Sequence, residues 1–147
     1  MANTDASRLR ASLRRYNLDV TKRWGDELAE AMRVEAPLGK VTPTSKPPGE
    51  LRKSIRAGRT SQSGTSATVQ VLAPVIQAAT TDKGARAHII RPRRARVLRF
   101  YSAKAGGIVF AREVHHPGNA AQHWWGPGLK RRASTTLRRA ARRTSFR

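Results

Sequence analysis

The chain has 147 residues with 30 Lys and Arg against 9 Asp and Glu, a formal charge of +21 on a length that normally makes one domain. Its 38% apolar content is misleading, because 22 of those residues are alanine and Leu, Ile, Val and Phe together number only 27. That composition excludes two full domains and a large core, and it leads us to expect that partner surfaces supply the missing burial.

Asp5 suits the N-terminus of a helix whose apolar positions are Leu9, Leu13, Tyr16, Val20, Trp24, Leu28 and Met32, at spacings of three and four residues. The pattern predicts one long helix to about Glu35, stopped before Pro37 (segment 1–36). A stripe of that length exceeds one small core, so part of it is expected to pack on a neighbouring subunit. Residues 37–50, with Pro37, Gly39, Pro43, Pro47, Pro48 and Gly49, read as an exposed connector.

The segment 51–123 reads as strands with a short helix. Leu51 and Ile55 begin an ordered stretch to about Thr60, Ser61 to Ser66 form a polar turn, and Val69 and Val71 alternate as in a strand. Pro74 opens a short helix ending near Gly84. His88 to Pro92 is extended, and Val97–Tyr101 with Gly107–Val114 make a hairpin. Its dry face is expected to join Leu98 and Phe100 with Ile108 and Phe110, leaving Arg99 on the other side with Val97 and Tyr101. A basic helix and tail complete the chain (124–147). The helix is entered through Trp124, Trp125, Gly126, Pro127 and Gly128, with Leu129, Ala133, Leu137 and Ala140 on its apolar side and a tail expected to fray after Arg143. The fold class is therefore α+β, with a long N-terminal helix, an antiparallel β-sheet of about four strands, a short central helix and a C-terminal helix.

The charge is uneven. Residues 1–50 hold nine basic and seven acidic groups, whereas all later acidic groups are Asp82 and Glu113. Arg91, Arg93, Arg94, Arg96 and Arg99 crowd the entry to the hairpin, and a second basic tract runs from Lys130 to Arg147. Phosphate or a carboxylate-rich neighbour is the natural counter-charge for such tracts, and solvated charge is the bland alternative.

Catalytic chemistry finds little support. His115, His116, Asn119 and His123 offer the residue types of a metal nuclease, but they fall within nine residues rather than on separate elements. Paired carboxylates are missing after residue 50, Gly106-Gly107 lacks the rest of a phosphate loop, and there is no cysteine. We expect no catalytic residues, no cofactor and no metal. No apolar run approaches the ~18 residues of a membrane span, the N-terminus lacks a secretory pattern, and the basic helix is too alanine-rich to insert, so no membrane partner is expected.

Five runs in order carry a resemblance: Pro48-Gly49-Glu50-Leu51-Arg52-Lys53-Ser54-Ile55, Val71-Leu72-Ala73-Pro74, Asp82 to Pro92, Val97-Leu98-Arg99-Phe100, and Val109 to Asn119. The most specific pieces are Gly84 to Pro92, with Gly84, His88 and Pro92 at fixed spacing, and Val114 to Gly118, with His116, Pro117 and Gly118. Over roughly residues 37–125 the chain resembles the tail-completion (neck) protein family of long-tailed double-stranded DNA phages. It departs from that pattern at Asp82-Lys83-Gly84-Ala85, where a glutamate and a Gly-Thr pair are usual, and at His123-Trp124-Trp125, where Pro-Phe opens the last helix.

The resemblance implies a non-enzymatic virion subunit, assembled in the host cytoplasm and placed at the head–tail junction. It implies a homo-oligomeric ring, a hexamer in the first instance with twelve as the other value to test. Its neighbours would be a head-closing ring, a tail terminator or the tail tube, with double-stranded DNA in the channel. On this reading Leu9, Leu13, Tyr16, Val20, Trp24, Leu28, Trp124 and Trp125 form the subunit interface, and the five arginines face either DNA or an acidic neighbouring ring. A tail terminator or head-closing ring is the nearest alternative, and a sequence-nonspecific DNA-binding protein the next.

Overall fold

The computed structural model describes residues 2–39 and 49–146, with side chains from Asp5 onward. Most of the expected Pro/Gly connector, including Pro43, Pro47 and Pro48, lies outside the described residues. The elements in chain order are α1 (Ala2–Glu35), α2 (Glu50–Ser54), β1 (Arg56–Ser63), β2 (Ser66–Leu72), α3 (Ile76–Lys83), β3 (His88–Ile90), β4 (Leu98–Ser102), β5 (Gly107–Ala111), β6 (Val114–His116) and α4 (Trp125–Arg142). The fold is α+β, as the periodicities predict. The strands, however, form three antiparallel two-stranded ladders, β1–β2, β3–β6 and β4–β5, rather than one sheet of four.

α1 is the spine. Its C-terminal half packs against α4, and the β1–β2 hairpin lies along it. Leu28, Ala29, Met32 and Ala36 meet Leu51, Ile55 and Trp124 in the buried core, with Trp24, Val71, Val75 and Leu129 at its margin. Met32 and Ile55 are the largest side chains wholly removed from solvent. The polar hairpin extends further than expected: β1 continues to Ser63 and β2 resumes at Ser66, leaving a two-residue turn at Gly64 and Thr65. Side chain to backbone bonds hold this arm to α1, with Asn17 Nδ2 donating to the Thr65 carbonyl and Gln62 Nε2 to that of Arg14, both at 2.7 Å. Cross-strand hydrogen bonding therefore sustains strand residues that carry no apolar signal.

Three expectations, two of them about faces, are corrected. In the β4–β5 ladder Leu98 pairs with Ala111, Arg99 with Phe110, Phe100 with Val109 and Tyr101 with Ile108. The register differs by one residue from that expected, so Ile108 and Phe110 share a face with Arg99 and Tyr101, not with Leu98 and Phe100. In α4 Ala140 is buried and Leu129 packs on the core as expected, but Gly128 and Thr136 also turn inward and Leu137 is exposed. The Thr136 hydroxyl is tolerated there because it donates to the Arg132 carbonyl at 2.8 Å and accepts from Trp24 Nε1 at 3.1 Å. Finally, the chain beyond Arg143 does not simply fray: Thr144 Oγ1 donates to the Ala140 carbonyl, and Phe146 sets its ring edge-on to Tyr16 at 5.5 Å.

The same packing revises the interface expected on the apolar stripe. Val20, Leu28 and Trp124 are buried within the chain itself, Trp24 bonds to α4, and Tyr16 meets Phe146. α4 and the tail occupy the surface assigned to a neighbour. Leu9 and Leu13 remain exposed, and Trp125 is half-buried against Trp124 at 5.2 Å.

Candidate interaction surface

The segments that carry the resemblance converge on one backbone crossing. β3 and β6 pair with His88 opposite His116, Ile89 opposite His115 and Ile90 opposite Val114. The ladder extends through an isolated bridge in which Ala85 and Asn119 exchange both backbone bonds, at 3.0 and 2.9 Å. Two glycines make the approach possible. Gly118 has φ +84°, and a Cβ there would collide with the Ala85 carbonyl oxygen and lie 2.9 Å from the Ala87 nitrogen. Gly84 has φ +77°, and its Cβ would lie 2.7 Å from the Asn119 carbonyl oxygen. The imidazoles of His88 and His116 stack at 5.0 Å. His116 Nδ1 accepts from the Gly118 amide at 3.0 Å, while His88 Nδ1 lies 2.9 Å from the Arg86 carbonyl, to which it can only donate. Gly84, His88, His116 and Gly118 thus build the crossing, with Pro117 in the turn and Pro92 leading away from it.

From the crossing α3 reaches α4. Gln122 and His123 amides donate to the Thr81 and Asp82 carbonyls at 3.0 Å, and Trp124 Nε1 donates to Thr81 Oγ1 at 3.2 Å. Asp82 Oδ1 accepts from the Trp125 amide at 2.9 Å, so a carboxylate from another element caps the first turn of α4. Sequence reasoning missed this role, whose signal was the isolation of Asp82 within a basic half-chain. Asp82→Ala is expected to cost about 1 kcal/mol, the usual worth of such a cap, measurable by urea denaturation.

Of the expected arginine cluster, Arg91, Arg93, Arg94 and Arg96 sit on the loop between β3 and β4 and Arg99 in β4, and all five are exposed. Arg91 is engaged, with Nε and Nη2 both 3.2 Å from Glu113 Oε2. That bond, and secondarily His115 at 3.4 Å, holds the Glu113 carboxyl below its ordinary pKa. Among the described residues Arg93, Arg94, Arg96 and Arg99 make no ion pair. Beside them lie apolar groups without cover: Val97 is 38% exposed, Ile108 43% and Phe110 66%. Arg99 and Phe110 are cross-strand partners. The histidines weighed as ligands separate, His115 toward Glu113 and His116 against His88. Among the described residues no three His, Asp or Glu side chains gather at one point, and no helix is long and apolar enough to cross a membrane.

The second basic tract behaves differently. Arg131 and Arg132 bond the two oxygens of Glu35, and Arg139 and Arg143 meet Glu27 at 3.6 and 3.3 Å. Glu27 and Glu35 are only 13% exposed, and these two carboxylates on α1 offset half the charge of the four arginines on the inner edge of α4. Hydrogen bonds from Arg131 and Arg132 hold the Glu35 carboxyl below its ordinary pKa, outweighing desolvation. A carboxylate whose pKa is depressed on folding contributes stability above its unfolded value, about 4.3, and loses it as pH falls through the folded value. The unfolding temperature is therefore expected to drop below about pH 4.3, and Glu35→Gln to lower it at neutral pH while flattening its acid dependence.

Comparison with protein-family models, curated proteins and solved structures finds no match.

Proposed function

We propose that the chain is a structural subunit of a phage neck or tail top. In this reading copies assemble into a ring that completes the tail and joins it to the head, with DNA passing through. The observation that carries the reading is the mismatch between core and surface. Apart from alanine, the buried apolar side chains among the described residues are Val20, Leu28, Met32, Leu51, Ile55 and Trp124, while Ile76, Ile108, Phe110, Leu9 and Leu13 are exposed. A chain with so little burial gains rigidity by docking. The resemblance supplies the context, and an α+β subunit with helices at both ends agrees with what it implies.

The loop arginines and the apolar face of β4–β5 lie together, which suits contact with a neighbouring subunit or an acidic adjoining ring. Interfaces combine desolvated aromatic and aliphatic anchors with arginine, and Phe110 beside Arg99 offers that pairing. Gold-labelled antibody against the protein, viewed by electron microscopy on finished particles, tests the placement. Label at the head–tail junction supports it; label elsewhere, or protein absent from particles, overturns it.

A further inference from the structure

The cations of α4 fall into two rows. The inner row, Arg131, Arg132, Arg139 and Arg143, is matched by Glu27 and Glu35 on α1. The outer row is Lys130, Arg138 and Arg142, which with Ser134 stand four residues apart and are all exposed. Spacing by four winds only slowly around a helix, so these side chains project along one flank with about 6 Å of axial rise between them. Among the described residues Lys130, Arg138 and Arg142 make no ion pair. Beside this row Arg138 and Arg142 line an open concavity of about 390 Å³ together with Thr135, Arg139 and Arg143. Its lining holds no carboxylate and no apolar side chain.

We propose that this outer flank of α4 is a phosphodiester-binding strip that follows the backbone of duplex DNA without reading its sequence. This deepens the reading above by assigning the DNA contact to residues other than the arginines between β3 and β4. Three observations make phosphate a fitting occupant, and the last favours it over an acidic protein, since arginine forks grip carboxylates as well. Arginine forks match phosphate oxygens bidentately, and a hydroxyl such as that of Thr135 is a usual accompanying donor. The inner row is already engaged with Glu27 and Glu35, so the outer row attracts a polyanion from solution without breaking the α1–α4 ion pairs. The concavity beside Arg138 and Arg142 also lacks the apolar anchors that a protein interface requires, in contrast to the arginines beside Phe110 and Ile108.

The test is fluorescence anisotropy of the full-length protein with a labelled random-sequence duplex across a salt series. For the wild type, binding is expected to weaken steeply with salt. Arg138→Gln/Arg142→Gln removes two phosphate contacts, so the log–log slope should fall by about 1.8 and affinity at 0.1 M salt by roughly 50-fold. Arg138→Lys/Arg142→Lys, which keeps the charge, should retain most of the slope. Arg94→Gln/Arg96→Gln, on the loop between β3 and β4, should leave it unchanged. Circular dichroism of each variant identifies any loss of fold, and the Lys variant then decides between lost charge and lost structure. The proposal is overturned if the wild type does not bind duplex, if the Gln pair leaves the slope intact, if the loop pair abolishes binding, or if polyglutamate competes as well as DNA. The ring reading fails separately, through a single-subunit mass in solution, and that result would not alter the slopes.

Discussion

Gly118→Ala is expected to abolish the cooperative thermal transition or lower it steeply, although it adds one methyl group. The position combines two demands that no L side chain meets together. Its φ of +84° is a left-handed conformation, and its Cβ direction is filled by the backbone of Ala85 to Ala87. The conformational part alone is worth about 1–3 kcal/mol, and the steric part forces apart the Ala85–Asn119 bridge and the β3–β6 ladder that continues from it. Because α3, the crossing and the first turn of α4 are bonded in series, the loss should reach Trp124. Its fluorescence should red-shift as the indole enters water. An unchanged melt and spectrum would show that the crossing contributes little to stability.

The second large effect is expected at Met32, which is fully buried among Leu28, Leu51, Ile55 and Trp124. Met32→Ala should cost about 2–5 kcal/mol, against a total of ~5–15 kcal/mol for a typical domain. With Met32 and Ile55 the two large side chains wholly buried among the described residues, that loss is a sizeable share of the available stabilisation. Chemical denaturation should show a lowered midpoint. A midpoint within error of the wild type would mean that assembly, not this core, holds the subunit together under the conditions used.

What was legible in the sequence was what local periodicity encodes. The α1 stripe, the stop before Pro37, the strand through Val69 and Val71, and the short helix ending at Gly84 each rest on neighbours within one or two turns. What was not legible depends on partners distant in sequence. The β4–β5 register could not be read from alternation, because a slip of one residue exchanges Phe110 for Val109 opposite Phe100 and both patterns look equally apolar. The α1 stripe was assigned partly to another subunit because nothing local shows that Trp24 bonds to the Ala133 carbonyl and Thr136 of α4.

The candidate site divides in the same way. The exposed arginines and the turn glycines were visible as residue types, but that Gly84 faces the backbone of residues 119–121 and Gly118 that of residues 85–87 was not. The role of Glu27 and Glu35 was missed although a signal existed. They stand eight residues apart on α1, as Arg131 and Arg139 do on α4, a match that antiparallel helices would use. Splitting the chain by net charge hid it, because the acids of the first half are the counter-ions of the last helix.

The central claim, that this subunit completes its burial against copies of itself, is tested most directly by light scattering on size-fractionated full-length protein over a wide dilution series. The account predicts a closed multiple of the subunit, six or twelve, that gives way to less stable material on dilution. A stably folded single subunit at every concentration would contradict it.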